Sequence, residues 1–147
     1  MLGIDPQFLL RFFGVVFTAL GVAARLGLWK NWYWRSRGTA YGYIPLGLLF
    51  LVYSFHSTVE ARLGSYYILY QGLFVLLILC GLWWTVQPPS FIKPAWVRWV
   101  EAYPKEIYDA MMKAVEQGEK WEPHVASPEK LENWVKSLRG KKRRAKG

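Results

Sequence analysis

Three apolar segments, 8–28, 41–59 and 66–84, each close to the length of one membrane crossing, fill most of residues 1–89. A helix rises 1.5 Å per residue, so about twenty apolar residues cross the roughly 30 Å hydrocarbon layer of a bilayer. The first segment carries Arg11 and Arg25 near its two ends, where long basic side chains can reach the headgroups. The second has Pro45 in its opening turns, where a missing amide hydrogen bond costs least. The third is uninterrupted from Leu73 to Leu79 and stops before Pro88-Pro89. These features predict an all-α integral membrane protein with three transmembrane helices. Val22-Ala23-Ala24 has the small residues of a signal-peptide cleavage site, but Asp5 stands where a basic cluster would be needed, so the first segment reads as a retained span.

Charge sets the expected orientation. The loop 29–38 contains Lys30, Arg35 and Arg37 with no acid, whereas the next loop balances Glu60 against Arg62. Basic loops stay on the cytoplasmic side. The N-terminus is therefore expected outside and the C-terminus in the cytoplasm, in the inner (cytoplasmic) membrane. Aromatic residues at the expected boundaries (Trp29, Trp32, Trp34, Tyr41, Tyr43, Trp83 and Trp84 inside, Tyr66 and Tyr67 outside) read as interfacial belts.

The remainder, 90–147, has a different character. Residues 1–89 carry six Lys or Arg and two acids, whereas residues 90–147 carry thirteen and eight. Two parts follow: a transmembrane domain over 1–89 and a basic cytoplasmic or interfacial helical tail over 90–147. In the tail, Trp96, Trp99, Val100 and Tyr103 share one helical face, the pattern of a helix lying in the membrane interface. A second helix is expected from Pro104 to Gly118, with Ile107, Ala110, Met111, Ala114 and Val115 on its apolar face. A third begins at Ser127-Pro128, with Leu131, Trp134, Val135 and Leu138 at helical spacing, and should end at Gly140. Helices below about 12–15 residues are marginal alone in water, so these faces are expected to need a membrane or a partner. The run 141–147 is expected to be disordered unless something acidic holds it.

Candidate chemistry is sparse. His56, at the outer end of the second span, is the one candidate cofactor ligand, and an interfacial histidine bonded to its surroundings is the commoner role for such a residue. No second histidine in a span completes a bis-histidine pair, and His124 has no ligand partner at metal-binding spacing. The spans hold no carboxylate between Asp5 and Glu60 or between Glu60 and Glu101, which argues against an ion-coupled transporter. No catalytic motif is present, so no enzyme activity is expected and no cofactor or metal is predicted; bound lipid, quinone or pigment is left open. Cys80 is the single cysteine, and no disulfide within the chain is available. Gly14, Thr18 and Gly21 would permit close helix packing.

A net charge of +9 fits anionic lipid headgroups better than nucleic acid in a membrane protein. Expected lipid- or partner-binding residues are Lys30, Trp32, Trp34, Arg35, Arg37, Trp96, Trp99, Trp134, Lys141, Lys142, Arg143 and Arg144. Expected partners are membrane lipids, other integral membrane subunits and an acidic cytoplasmic surface for the tail. The function these features favour is a non-catalytic accessory or scaffolding subunit of a larger membrane complex, for example a respiratory or photosynthetic one. The topology also resembles that of the three-span phage holins, which implies a small pore-forming protein as the alternative. That resemblance covers no sequence motif, and the long tail departs from the short holin tail. A membrane anchor recruiting a soluble partner is the third reading.

Overall fold

The computed structural model describes residues 3, 5–35 and 39–144. Every regular element among them is helical. The chain divides into two compact units, Met1–Ile92 and Lys93–Gly147.

In the first unit, helix α1 spans Pro6–Arg25. Asp5 caps it by accepting a hydrogen bond from the Gln7 amide, and Pro6 occupies the first turn, where its missing N–H is harmless. The helix ends at Gly27, whose φ of 75° suits a residue without a side chain. Short helix α2 covers Trp32–Arg35, and a 3-10 turn over Thr39–Gly42 leads into α3, Tyr43–Ser54. Helix α4 spans His56–Leu63, a 3-10 turn follows over Gly64–Tyr66, and α5 runs from Tyr67 to Val86.

Close approach of backbones fixes how these helices pack. A Cβ added to Gly47 would stand 2.7 Å from the Gly14 carbonyl oxygen, and one on Gly21 would stand 2.9 Å from the Ile44 nitrogen. Rising positions on α1 therefore meet falling positions on α3, so the two helices are antiparallel. On the other side of α3, Pro45 lies beside Gly81, Tyr53 meets Phe74 edge-on at 5.8 Å, and the Tyr70 hydroxyl donates to the Val52 carbonyl. Helix α5 is thus also antiparallel to α3, and parallel to α1. The small residues of α1 are spent on this internal contact.

Two helical segments, Pro6–Arg25 and His56–Val86, are long and apolar enough to cross a membrane. The segment expected to form the second span, 41–59, is interrupted at Phe55, between α3 and α4. Phe55 leaves the helical conformation there, with φ −103° and ψ 5°, and the Ser54 hydroxyl beside it donates to the Leu51 carbonyl at 2.7 Å. None of the twenty residues of α5 is buried, and Leu69, Val75, Leu76, Leu79 and Leu82 are all more than half exposed.

The second unit contains α6 (Ala95–Glu101), α7 (Lys105–Glu116), a 3-10 turn at Glu122–Val125 and α8 (Pro128–Arg144). Helix α7 closes at Gly118, φ 82°, where the Glu119 amide bonds back to the Ala114 carbonyl at 3.0 Å. Ser127 caps α8 by accepting from the Lys130 amide.

The short amphipathic helices cover one another, against the expectation that they need outside support. Helix α8 packs on α6, on α7 and on the Glu122–Val125 turn. Leu131, Trp134, Val135 and Leu138 are buried as their spacing predicts, together with Tyr108, Met111, Trp121 and Val125. Packing between elements supplies what each helix lacks alone. A second difference lies at Gly140, expected to stop α8. The helix passes through it and continues to Arg144, so 141–144 are ordered as helix. The reason lies far away in sequence: Lys141 pairs with Glu119 and Lys142 with Glu106, each at 3.4 Å. Residues 145–147 of that run lie outside the described residues.

Candidate functional site

The basic end of α8 is the most highly charged surface of the second unit. Arg139, Lys141, Lys142, Arg143 and Arg144 all lie within its last six residues and are exposed. On one side, Arg139, Lys142 and Arg143 line a cavity of about 450 Å³ with Pro104, Glu106 and Ile107 of the α7 start. Three cations there face one carboxylate. On the other side, a cavity of about 480 Å³ is lined by Glu106, Asp109 and Glu119 against Lys113, Lys141 and Lys142. That second cavity is balanced in charge, so only the first has a positive excess.

Glu119 organises this end of the unit. One carboxylate oxygen accepts from the Trp134 indole N–H at 3.0 Å and stands 3.9 Å from His124 Nε2, while the other meets Lys141. His124 in turn stacks on Trp134, with ring centroids 5.0 Å apart. Glu119 and Glu106 were invisible to sequence reasoning as partners of the tail, because they lie 22 and 36 residues before the lysines they meet. Nor did any periodicity mark Pro104 and Ile107 as cavity walls.

Of the expected binding tryptophans, three are taken out of the surface. Trp96 is buried and meets Trp121 at 5.7 Å, and Trp134 is 2% exposed against Glu119 and His124. Their bulk builds the interior of the unit, so neither presents a surface to lipid or partner; Trp99 is half-buried. Trp32 is likewise buried. It donates its indole N–H to the Trp29 carbonyl at 2.8 Å and meets Tyr41 edge-on at 5.0 Å. Tyr33 and Tyr41 are buried beside it, so two of the residues expected in an aromatic belt, Trp32 and Tyr41, are interior packing. Lys30 and Trp34 are half-buried. Only the backbone of Arg35 is described, and Arg37 lies outside the described residues.

His56 is held by its own unit. The Tyr67 hydroxyl stands 2.9 Å from its Nδ1, Tyr53 stacks on its ring at 5.5 Å, and Glu60 lies one turn away at 3.8 Å. Beside it, the Arg11 guanidinium sits 4.8 Å over the Phe55 ring. These neighbours bond and stack with His56 within the first unit. Among the described residues no group of three or more His, Cys, Asp or Glu could hold a metal ion.

The geometry defines an all-helical protein of two units, one with two helices of membrane-spanning length and one ending in a basic cavity. No protein-family model matches the chain, and no curated protein or solved structure matches it either.

Proposed function

We propose that this chain is a three-span integral membrane protein, N-terminus outside and C-terminus in the cytoplasm, acting as a non-catalytic accessory subunit of a larger membrane complex. The observation that carries the reading is α5, apolar around its whole circumference with no residue buried. A helix hydrophobic on all sides is stable in lipid or among other apolar helices, and unstable in water. The parallel arrangement of α1 and α5 supports the third crossing. Two parallel spans need a return path between them, and α3, antiparallel to both, supplies it. Helix α3 has twelve residues, about 18 Å at 1.5 Å each, so the crossing draws on its helical flanks as well.

The accessory role rests on what α3 leaves uncovered: Phe8, Phe12 and Val15 on α1 and Ile68, Leu69, Val75 and Leu76 on α5 are open for neighbouring helices. Purification of the tagged chain in mild detergent, followed by native mass spectrometry, tests the reading. Other membrane subunits in fixed stoichiometry are expected. A monodisperse protein without partners would overturn the accessory role, and a chain that remains in the aqueous fraction of lysed cells would overturn the membrane reading.

A further inference from the structure

We infer that the cavity between the start of α7 and the last turns of α8 is a headgroup site for an anionic phospholipid, a proposal that rests on the membrane reading above. Arg139 and Arg143 stand one helical turn apart on α8, and with Lys142 they face a single acid, Glu106, already engaged by Lys142 at 3.4 Å. Planar guanidinium groups one turn apart suit a phosphate, each able to donate two parallel hydrogen bonds. The remaining walls, Pro104 and Ile107, are apolar. A concave site with a cationic rim and an apolar wall matches the junction between a lipid phosphate and its glycerol and acyl carbons, which a free anion lacks.

The chain itself brings such a ligand near. Six residues separate Val86, the end of α5, from Lys93, and at about 3.5 Å each they could reach no more than roughly 20 Å. If α5 enters a bilayer, the second unit is covalently held at that bilayer's surface, where anionic headgroups are abundant. An acidic protein would have to be captured from solution, and nucleic acid would have to compete against the same tethered lipid.

Full-length chain in mild detergent, titrated with phosphatidylglycerol or phosphatidylcholine and read by native mass spectrometry, tests the site. Preferential binding of phosphatidylglycerol is expected. Because one basic residue near an anionic surface contributes roughly fivefold, the Arg139→Gln/Arg143→Gln double variant should weaken that binding roughly 30-fold while weakening the binding of net-neutral phosphatidylcholine far less. Both arginines are exposed, so the variant keeps its fold, and unchanged amide exchange over 129–138 verifies this. Equal affinity for the two lipids, wild-type binding by the variant, displacement of the lipid by equimolar inorganic phosphate, or tighter binding of a short RNA at the same salt would each overturn the site. A further measurement separates its failure from that of the membrane reading. A chain that enters nanodiscs but shows no lipid preference removes the site alone, whereas one that stays outside nanodiscs removes the membrane reading and the site with it.

Discussion

Thr18 of α1 lies against Gly47 of α3 so closely that a Cβ on the glycine would stand 2.5 Å from the Thr18 backbone nitrogen. The Thr18 hydroxyl obstructs it too, but the backbone behind it has no rotamer to yield. Thr18 is itself fixed, its hydroxyl donating to the Gly14 carbonyl at 2.7 Å.

Gly47→Ala should therefore force the two helices apart and destabilise the first unit by about 1–3 kcal/mol, the usual cost of overpacking. Gly72→Ala is the matched control, since nothing lies within 4 Å of a Cβ there. In a helix interior that change should stabilise by about 0.5–1 kcal/mol. Thermal unfolding of the two variants in the same detergent should move in opposite directions, and a parallel shift would refute the backbone contact.

Glu119→Ala should release the last turn of α8 without unfolding the unit. It removes the partner of Lys141 and the acceptor of the Trp134 indole together. Amide hydrogens over 140–144 should exchange faster, while those of α7 hold. Trp134→Ala is the harsher change: deletion of a buried tryptophan costs about 3–5 kcal/mol, and exchange should rise throughout α6, α7 and α8.

The Glu132–Lys136 pair makes a pH prediction. Lys136, 2.8 Å away and one turn along α8, holds the Glu132 carboxyl below its usual range, first through the side-chain hydrogen bond and then through its charge. A carboxyl depressed in the folded state contributes stability that is present above its unfolded pKa and lost as pH falls through the folded one. Both groups are exposed, so the carboxyl titration is the useful observable. Its midpoint by carbon-13 NMR should lie below that of an ordinary glutamate and return to it in Lys136→Met.

Much of this was legible in the sequence, and what was missed has physical causes. Hydropathy and length located α1 and α5, because burial in lipid or protein demands an apolar run of the right size. The ends of α1 lay two or three residues from the expected 8 and 28, since Asp5-Pro6 and Gly27 act through capping geometry and not through hydropathy. The break at Phe55 is a local change of backbone conformation, φ −103° and ψ 5°, within an apolar run that leaves no trace of it in composition. Trp32 and Trp134 were misjudged because an aromatic beside basic residues reads the same in an interface as in a core. Helical spacing identified the buried face of α8 residue for residue, but gave no hint that α6 and α7 would cover it.

The topology read from loop charge leads to a fourth prediction. In a chain whose Cys80 is replaced by Ala, a cysteine introduced at Ser65 should react with an impermeant thiol reagent in intact cells. Cysteines at Asn31 or Ser127 should react only after permeabilisation. The reverse pattern would place the basic cavity on the opposite side of the membrane.

Gly140 divides α8 into two stretches of different character. Glycine opposes helix by roughly 1 kcal/mol relative to alanine, so the turn beyond it leans on the pairing of Lys141 with Glu119 and of Lys142 with Glu106. Those ion pairs are exposed and weaken as salt rises. The helix therefore has one segment locked by Trp134 and a final turn that should fray first as salt rises.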